Sequence, residues 1–278
     1  MKPIFIDAVS VYGKGLLSWD HAKEVFNHLE RYDATQIPKL DSGYLTPNNL
    51  RRTTHHMHIA FQAADMALKG SDAAKERVEF VFATSDVDLD VAESNCLALS
   101  LHDKEISPQK FQNVVLNAAA GHLGVFMKNT SGSTTVSAQD NNFAVGFLQA
   151  YTFLQVNTGP ASQVHSTPAS PVNTTPALLV AYDAPFETRH GPGHRPFFCV
   201  GMLLTANQTP KSMMSLTPNL VPQPKPTALG HAELEAIRTT APAAGCLPLL
   251  MALAKKTNDT VELVYTEELG LKVSLCNL

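Results

Sequence analysis

Residues Thr134–Ala150 read TTVSAQDNNFAVGFLQA. With Ser133 in front, the β-branched start reads as a strand over 133–138. The apolar run that follows reads as a helix from Asn141 to Thr152. Between them lies a short turn holding Gln139 and Asp140. A strand-to-helix turn of this kind can lift a nucleophile to the top of a sheet. Here the turn offers a carboxylate and an amide.

Outward from this turn, strand and helix signals alternate. Pro3–Val11 reads as an opening strand, and Leu17–Tyr32 as a helix with Ser18 as its N-cap. Asp33–Asn49 is a polar loop, and Arg51–Lys69 has a helical apolar face. Glu79–Ala83 is a compact apolar strand, followed by a helix from about Asp90 to Leu101. Ser107–Val125, rich in small residues, reads as one tightly packed helix. Val156–Thr175 is a Ser/Thr/Pro loop. Ala177–Tyr182 and Pro196–Thr205 are buried strands. Residues 206–230, rich in Pro and Thr, read as a linker. Helices over His231–Thr239 and Pro248–Lys256 and strands over Asp259–Tyr265 and Gly270–Leu275 follow. Alternation of this kind predicts an α/β architecture.

Composition narrows the function classes. The chain has 278 residues, of which 44% are hydrophobic, enough for a substantial core. A net charge of -4 gives no reason to expect nucleic acid or an anionic membrane surface. Four dispersed cysteines, with no C-x-x-C pair, signal neither a zinc site nor a redox motif. The N-terminal MKPIFID lacks the long apolar core of a signal peptide. Leu247–Ala254 is shorter than the about 20 residues a membrane span needs. A cytoplasmic protein without a membrane span is the expectation.

Several stretches converge on one family. They are RR with a helix ending AFQAADMAL (Leu50–Leu68), VFATSDVDLD (Val81–Asp90), ISPQKFQNVVLNAAAGHLG (Ile106–Gly124), the turn itself, and LLVAYD (Leu178–Asp183). Their order and spacing resemble the β-ketoacyl synthase-like N-terminal family. Its members accompany type II polyketide and aryl polyene synthases as chain-length-factor-like partners. The resemblance implies a thiolase-like α/β fold, a mixed sheet with helices on both faces and a truncated second half. Residues 1–205 then form the ketosynthase-like N-terminal half, 206–230 the linker, and 231–278 a remnant of the C-terminal half.

In ketosynthases the turn reads roughly T-V-x-T-A-C-S-S-x and carries the catalytic cysteine. Thr135 and Val136 line up, and Asp140 stands at the cysteine position. In related chain-length factors that position is usually glutamine, so Gln139 is the alternative occupant. The histidine motifs H-G-T-x-T and N-x-G-H of a ketosynthase's second half are absent. Claisen condensation needs a thiolate, histidines that help decarboxylation, and an oxyanion hole. The resemblance therefore implies a non-catalytic subunit with no cofactor of its own. It would form a heterodimer with an active β-ketoacyl synthase and shape its acyl tunnel, visited by an acyl carrier protein. The alternative is a stand-alone acyltransferase or hydrolase using Asp140, Ser137 or a loop histidine, although no G-x-S-x-G occurs.

Each candidate residue has a plainer reading beside it. Asp140 is also an ordinary helix cap, with Asn141 and Asn142 helping. Asp86, with Asp88 and Asp90, fits strand-end and N-cap chemistry, and the resemblance places this segment beside the acyl pocket. Phe111 packs in a core or, by resemblance, reaches toward the partner's tunnel and limits chain length sterically. Asn117 and His122 need hydrogen-bond partners if buried, across an interface where the resemblance places this helix. His55, His56 and His58 lack the spacing and companions of a metal site, so no metal is expected. Arg51 and Arg52 begin a solvated face or meet a carrier protein. The RHGPGHR loop (Arg189–Arg195) is a weak phosphate signal.

Overall fold

A computed structural model describes residues 1–157, 175–187 and 194–278 of the chain. The strand β1 (Ile4–Gly13) leads into α1 (Trp19–Phe26), then the short α2 (Pro47–Leu50) and the long α3 (His55–Lys69). Next come β2 (Glu79–Ala83), α4 (Leu89–Ser100), α5 (Pro108–Gln112), α6 (Ala118–Met127) and β3 (Ser133–Val136). Helix α7 (Asn142–Asn157) precedes β4 (Ala177–Asp183), the two-residue strands β5 (Phe186–Glu187) and β6 (His194–Arg195), and β7 (Phe198–Thr205). The chain closes with β8 (Met214–Pro222), α8 (Ala232–Thr240), α9 (Leu247–Lys255), β9 (Asp259–Val264) and β10 (Leu269–Cys276).

Eight strands form one sheet in the order β3-β2-β4-β7-β1-β8-β10-β9. The β3–β2 and β2–β4 pairs are parallel, and every other pair is antiparallel. Strand β4 explains the layering. Ala177, Leu179 and Ala181 join the core that contains α7 and α9, whereas Leu178, Val180 and Tyr182 join the core of α3 and α6. A strand covered on both faces reads as an unbroken apolar run, as ALLVAY does. Gly201 on β7 permits close approach of α3: a Cβ there would lie 2.4 Å from the Ala63 carbonyl oxygen.

Three sequence expectations change. The 206–230 segment is not a simple linker, because β8 lies inside it and pairs with β1 and β10. Pro and Thr masked an alternation in which Met214, Leu216 and Pro218 face inward and Ser215 and Thr217 face partly outward. The turn before β8 is fixed by Asp7, the extra residue at the β1 bulge between Ile6 and Ala8. Its buried carboxylate accepts the hydroxyls of Thr209 at 2.8 Å and Ser212 at 2.7 Å. Second, the single helix expected over 107–125 is two. The buried Asn113 side chain donates to the Arg52 carbonyl at 3.1 Å and meets His122 Nε2 at 3.0 Å. Asparagine that bonds outside the helix competes with helix continuation. Third, α1 stops at Phe26 rather than Tyr32, since His28 is left-handed at φ 59. Val156 and Asn157 continue α7 rather than opening the expected 156–175 loop, whose residues 158–174, with His165, lie outside the described residues, as does most of RHGPGHR, with His190.

Candidate functional site

The turn after β3 sits at the C-terminal end of the parallel strands, where α/β sheets place ligands and chemistry. Gln139 is left-handed, with φ 50. A non-glycine residue there costs on the order of 1 kcal/mol and persists only where surrounding contacts fix it. Residues Gln139–Asn141 form one 3₁₀ turn that feeds α7. Gln139 and Asp140 are both exposed. Asp140 borders two clefts. One, of about 350 Å³, is lined by Ser85, Asp86, Gln139, Arg195 and Thr240 beside it. The other, of about 360 Å³, includes Phe143, Arg238 and Glu267. The capping role expected of Asp140 is not filled by it, and Asn142, the first residue of α7, instead ties back the turn ahead of the helix. Asp140 makes no side-chain hydrogen bond among the described residues, whereas Asn142 Oδ1 accepts the Ala138 N–H.

Ser85 holds this turn in place. Its carbonyl accepts the Ser137 hydroxyl at 2.9 Å, and its own hydroxyl accepts the Asn142 amide at 2.7 Å. That hydroxyl donates to Asp183 Oδ1 at 2.9 Å. Asp183, at the buried end of β4, also accepts the Ala243 N–H at 2.6 Å through Oδ2. Burial pushes its carboxyl above the ordinary range, against the pull of Ala243, Arg195 and Ser85. Arg195 donates to Asp86 Oδ2 at 2.6 Å and stands 3.8 Å from Asp183. Asp86 is thus an ion-pair partner at the cleft mouth, and Asp88 caps α4 by accepting the Val91 N–H at 3.1 Å. Sequence reasoning missed Ser85, Asn142, Asp183 and Arg195 as one network. The available signal was the acid closing the fully apolar run ALLVAYD.

The other candidates lie at a second locus. Phe111 on α5 is 60% exposed, so it does not pack in the core. Asn117 is exposed at the N-cap position of α6 without a side-chain cap bond. His122 is half-buried on Asn113, and burial with the nearby Arg52 lowers its pKa. A groove of about 690 Å³ runs here past Val115, Gly121, Val125 and Phe126. It shares no lining residue with the two clefts at the turn. Phe111, Val115, Val125, Leu97, Leu99 and Leu101 are exposed on α4–α6 and the adjoining loops.

Among the described residues no cluster of three or more metal-ligating side chains occurs, and no helix is long and apolar enough to cross a membrane. His58 Nε2 meets Thr53 Oγ1 at 2.9 Å. His56 is buried, and desolvation pushes its pKa down to about 4. The unfolded chain therefore binds a proton below the ordinary 6.5 that the folded chain refuses. Stability from this group is complete above that value and is lost as pH falls toward 4. We expect this group to account for a loss of up to about 3 kcal/mol over the window, removed in His56→Phe, while His58, pushed down to about 4 by its own burial, keeps its separate share. Urea midpoints across the pH range measure it.

Fold and turn together define a ketosynthase-type architecture. The profile of the family described as "Beta-ketoacyl synthase, N-terminal domain" matches residues 19–240. The chain belongs to this family. No curated protein matches it. Solved structures do. The ketosynthase (ApeO) in complex with its chain length factor (ApeC) from Xenorhabdus doucetiae aligns at TM-score 0.67 and 16% identity, over 99% of this chain and 100% of that one. The AntDE:AntF complex, a type II PKS acyl-carrier protein with its ketosynthase bound to the hexaketide, aligns at 0.69 and 14%, over 100% and 99%. The ishigamide ketosynthase/chain length factor aligns at 0.67 and 12%, over 100% of both. At these identities the likeness establishes a thiolase-like ketosynthase fold.

Proposed function

We propose that this chain is a non-catalytic, chain-length-factor-like subunit. It pairs with an active β-ketoacyl synthase and forms one wall of its acyl tunnel in aryl polyene-type, type II polyketide synthesis. The observation that carries the reading is Gln139. The turn is strained, and its left-handed residue is an amide rather than a thiol. In this reading Gln139, not Asp140, stands at the vacated cysteine position. An amide cannot accept an acyl group at ordinary rates, but it can hydrogen-bond a neighbouring chain.

The exposed apolar residues of α4–α6 support the pairing, since large apolar patches on one side mark protein interfaces. Phe111 is then the residue that crosses toward the partner's tunnel. The partner supplies cysteine and histidines, and an acyl carrier protein delivers the chain. Helices α8 and α9 with strands β9 and β10 stand for the remnant of the second half.

Co-purification from the native host with mass measurement identifies the partner, and reconstitution tests the role. Extension by the partner is expected to depend on this chain. Phe111→Asp is expected to weaken assembly by about 2 kcal/mol or more, the scale of an aromatic interface anchor. Phe111→Ala should keep a complex that makes longer products. Unchanged extension and product length without the chain would sink the proposal. The free carboxylate of Asp140 favours one second reading, an acyl-thioester hydrolase. Hydrolysis by the purified chain that disappears in Asp140→Asn would establish that reading instead.

A further inference from the structure

The Ser85 hydroxyl reaches both the buried acid of β4 and the left-handed residue of the turn. Its oxygen lies 2.9 Å from Asp183 Oδ1 and 3.4 Å from the Gln139 carbonyl oxygen. It also accepts the Asn142 amide at 2.7 Å. A hydroxyl has one hydrogen to donate and two lone pairs with which to accept. Two acceptors therefore compete for one hydrogen, and the protonation state of Asp183 decides between them.

With Asp183 ionised, both of its oxygens accept. Oδ2 takes the Ala243 N–H at 2.6 Å, and Oδ1 takes the Ser85 hydroxyl. A bond to a carboxylate is stronger than one to a neutral carbonyl, so the hydrogen stays off Gln139. With Asp183 neutral, the acid proton sits on Oδ1, because Oδ2 faces a backbone donor that cannot reverse. That O–H points at the Ser85 oxygen, whose second lone pair is open once Asn142 has taken the first. The Ser85 hydrogen is displaced, and the Gln139 carbonyl is the acceptor within reach. In both states Asp183 holds the Ser85 oxygen, and only the direction of the hydrogens reverses.

The charged groups facing Asp183 are Arg195 of β6, 3.8 Å away, and Asp86 of the loop after β2, itself paired with Arg195. Burial, with Asp86 adding to it, favours the neutral acid, and Arg195 favours the carboxylate. The other titratable neighbours stay uncharged. Burial holds Tyr182 on β4 as the phenol, Cys246 in the turn over Pro242–Cys246 as the thiol, and His56, against Tyr182, as the neutral imidazole. Helix α7 presents the amide of Asn142.

We propose that Asp183 and Ser85 form a protonation-controlled latch on the Gln139 turn: the neutral acid turns the Ser85 hydroxyl onto the Gln139 carbonyl, and the carboxylate takes it back. The latch is closed at low pH and opens as Asp183 ionises. Closed, it adds a bond to a residue whose φ of 50 persists only where contacts fix it. Gln139 lines the cleft of about 350 Å³ with Ser85, Asp86 and Arg195, so the latch sets how firmly that wall is held. The inference goes beyond the subunit reading and does not rest on it.

Carbon NMR of the full chain, labelled at aspartate carboxyls and glutamine carbonyls, tests the latch. The Gln139 carbonyl carbon is expected to shift with the same midpoint as the Asp183 carboxyl carbon, moving downfield on the acid side, where it accepts the bond. In Ser85→Ala the Asp183 carbon should still titrate, and the Gln139 carbon should no longer follow. Asp183→Asn offers Ser85 an N–H in place of the acid O–H, so there the Gln139 carbon should keep its acid-side position at every pH. This variant carries the test if Ser85→Ala does not fold. Asp140→Asn should leave the coupling intact. Four results would overturn the proposal: separate midpoints for Gln139 and Asp183, a Gln139 response that survives Ser85→Ala, one that vanishes in Asp140→Asn, or an alkaline-side position of the Gln139 carbon in Asp183→Asn.

Discussion

Replacing Gly201 by alanine is expected to destabilise the chain by about 3 kcal/mol or more, or to leave it insoluble. The added Cβ would lie 2.4 Å from the Ala63 carbonyl oxygen and 2.7 Å from the Ser10 hydroxyl. These two groups are themselves bonded at 2.6 Å, in the buried contact between α3 and the sheet. Neither is a flexible tip that swings away. The helix must lift off β7 and β1, and a rigid interior spreads that displacement into lost packing along α3. Gly124→Ala is the contrast. Its Cβ meets nothing closer than Phe80 at 3.9 Å, and it lies within α6. Alanine there should stabilise by about 0.5–1 kcal/mol through helix propensity. Chemical denaturation of the two variants checks both signs. Equal behaviour would mean that the close approach of α3 to β7 has been misread.

Gly201 also marks what a sequence can and cannot disclose. The strand containing it was legible, because a run buried on both faces is apolar throughout. The bounds of β2 were legible as Glu79–Ala83 for the same reason. Strand β8 was hidden, since its inward positions include Pro218 and its outward ones are Ser and Thr, residues that elsewhere mark loops. The α5–α6 break was hidden because it depends on Asn113 meeting Arg52, 61 residues away, as well as His122, nine residues on. The turn was legible as a turn, but its register was not. Spacing put Asp140 at the cysteine position with Gln139 as the alternative, and only the backbone angle sets Gln139 apart. Arg195 was hidden for a different reason. A cation in a Gly/Pro loop carries no hint of Asp86 and Asp183, which approach it from the ends of two strands.

That convergence underlies the second large effect. Asp183→Ala is expected to cost about 3–5 kcal/mol, the scale for removing one member of a buried charged network. The carboxylate receives three groups: the Ala243 N–H, the Ser85 hydroxyl and, at longer range, Arg195. Alanine leaves the buried Ala243 N–H without an acceptor. It also frees Ser85, whose hydroxyl anchors Asn142, which in turn holds Ala138 next to the strained Gln139. Loss of the acid should therefore loosen the turn before it unfolds the sheet. Hydrogen exchange at Ala138 and Asn141 should accelerate more than at Val180. Asp183→Asn should cost about half as much, because its single oxygen keeps one of the two donors. Burial raises the Asp183 pKa, so the folded chain holds that proton more tightly than the unfolded one. The wild type therefore loses part of its advantage over Asp183→Asn as pH rises through the carboxylate range. A gap that widened with pH would show that Arg195, rather than burial, dominates this carboxylate. Uniform exchange across the turn and β4 would show that Asp183 stabilises the sheet without positioning Gln139.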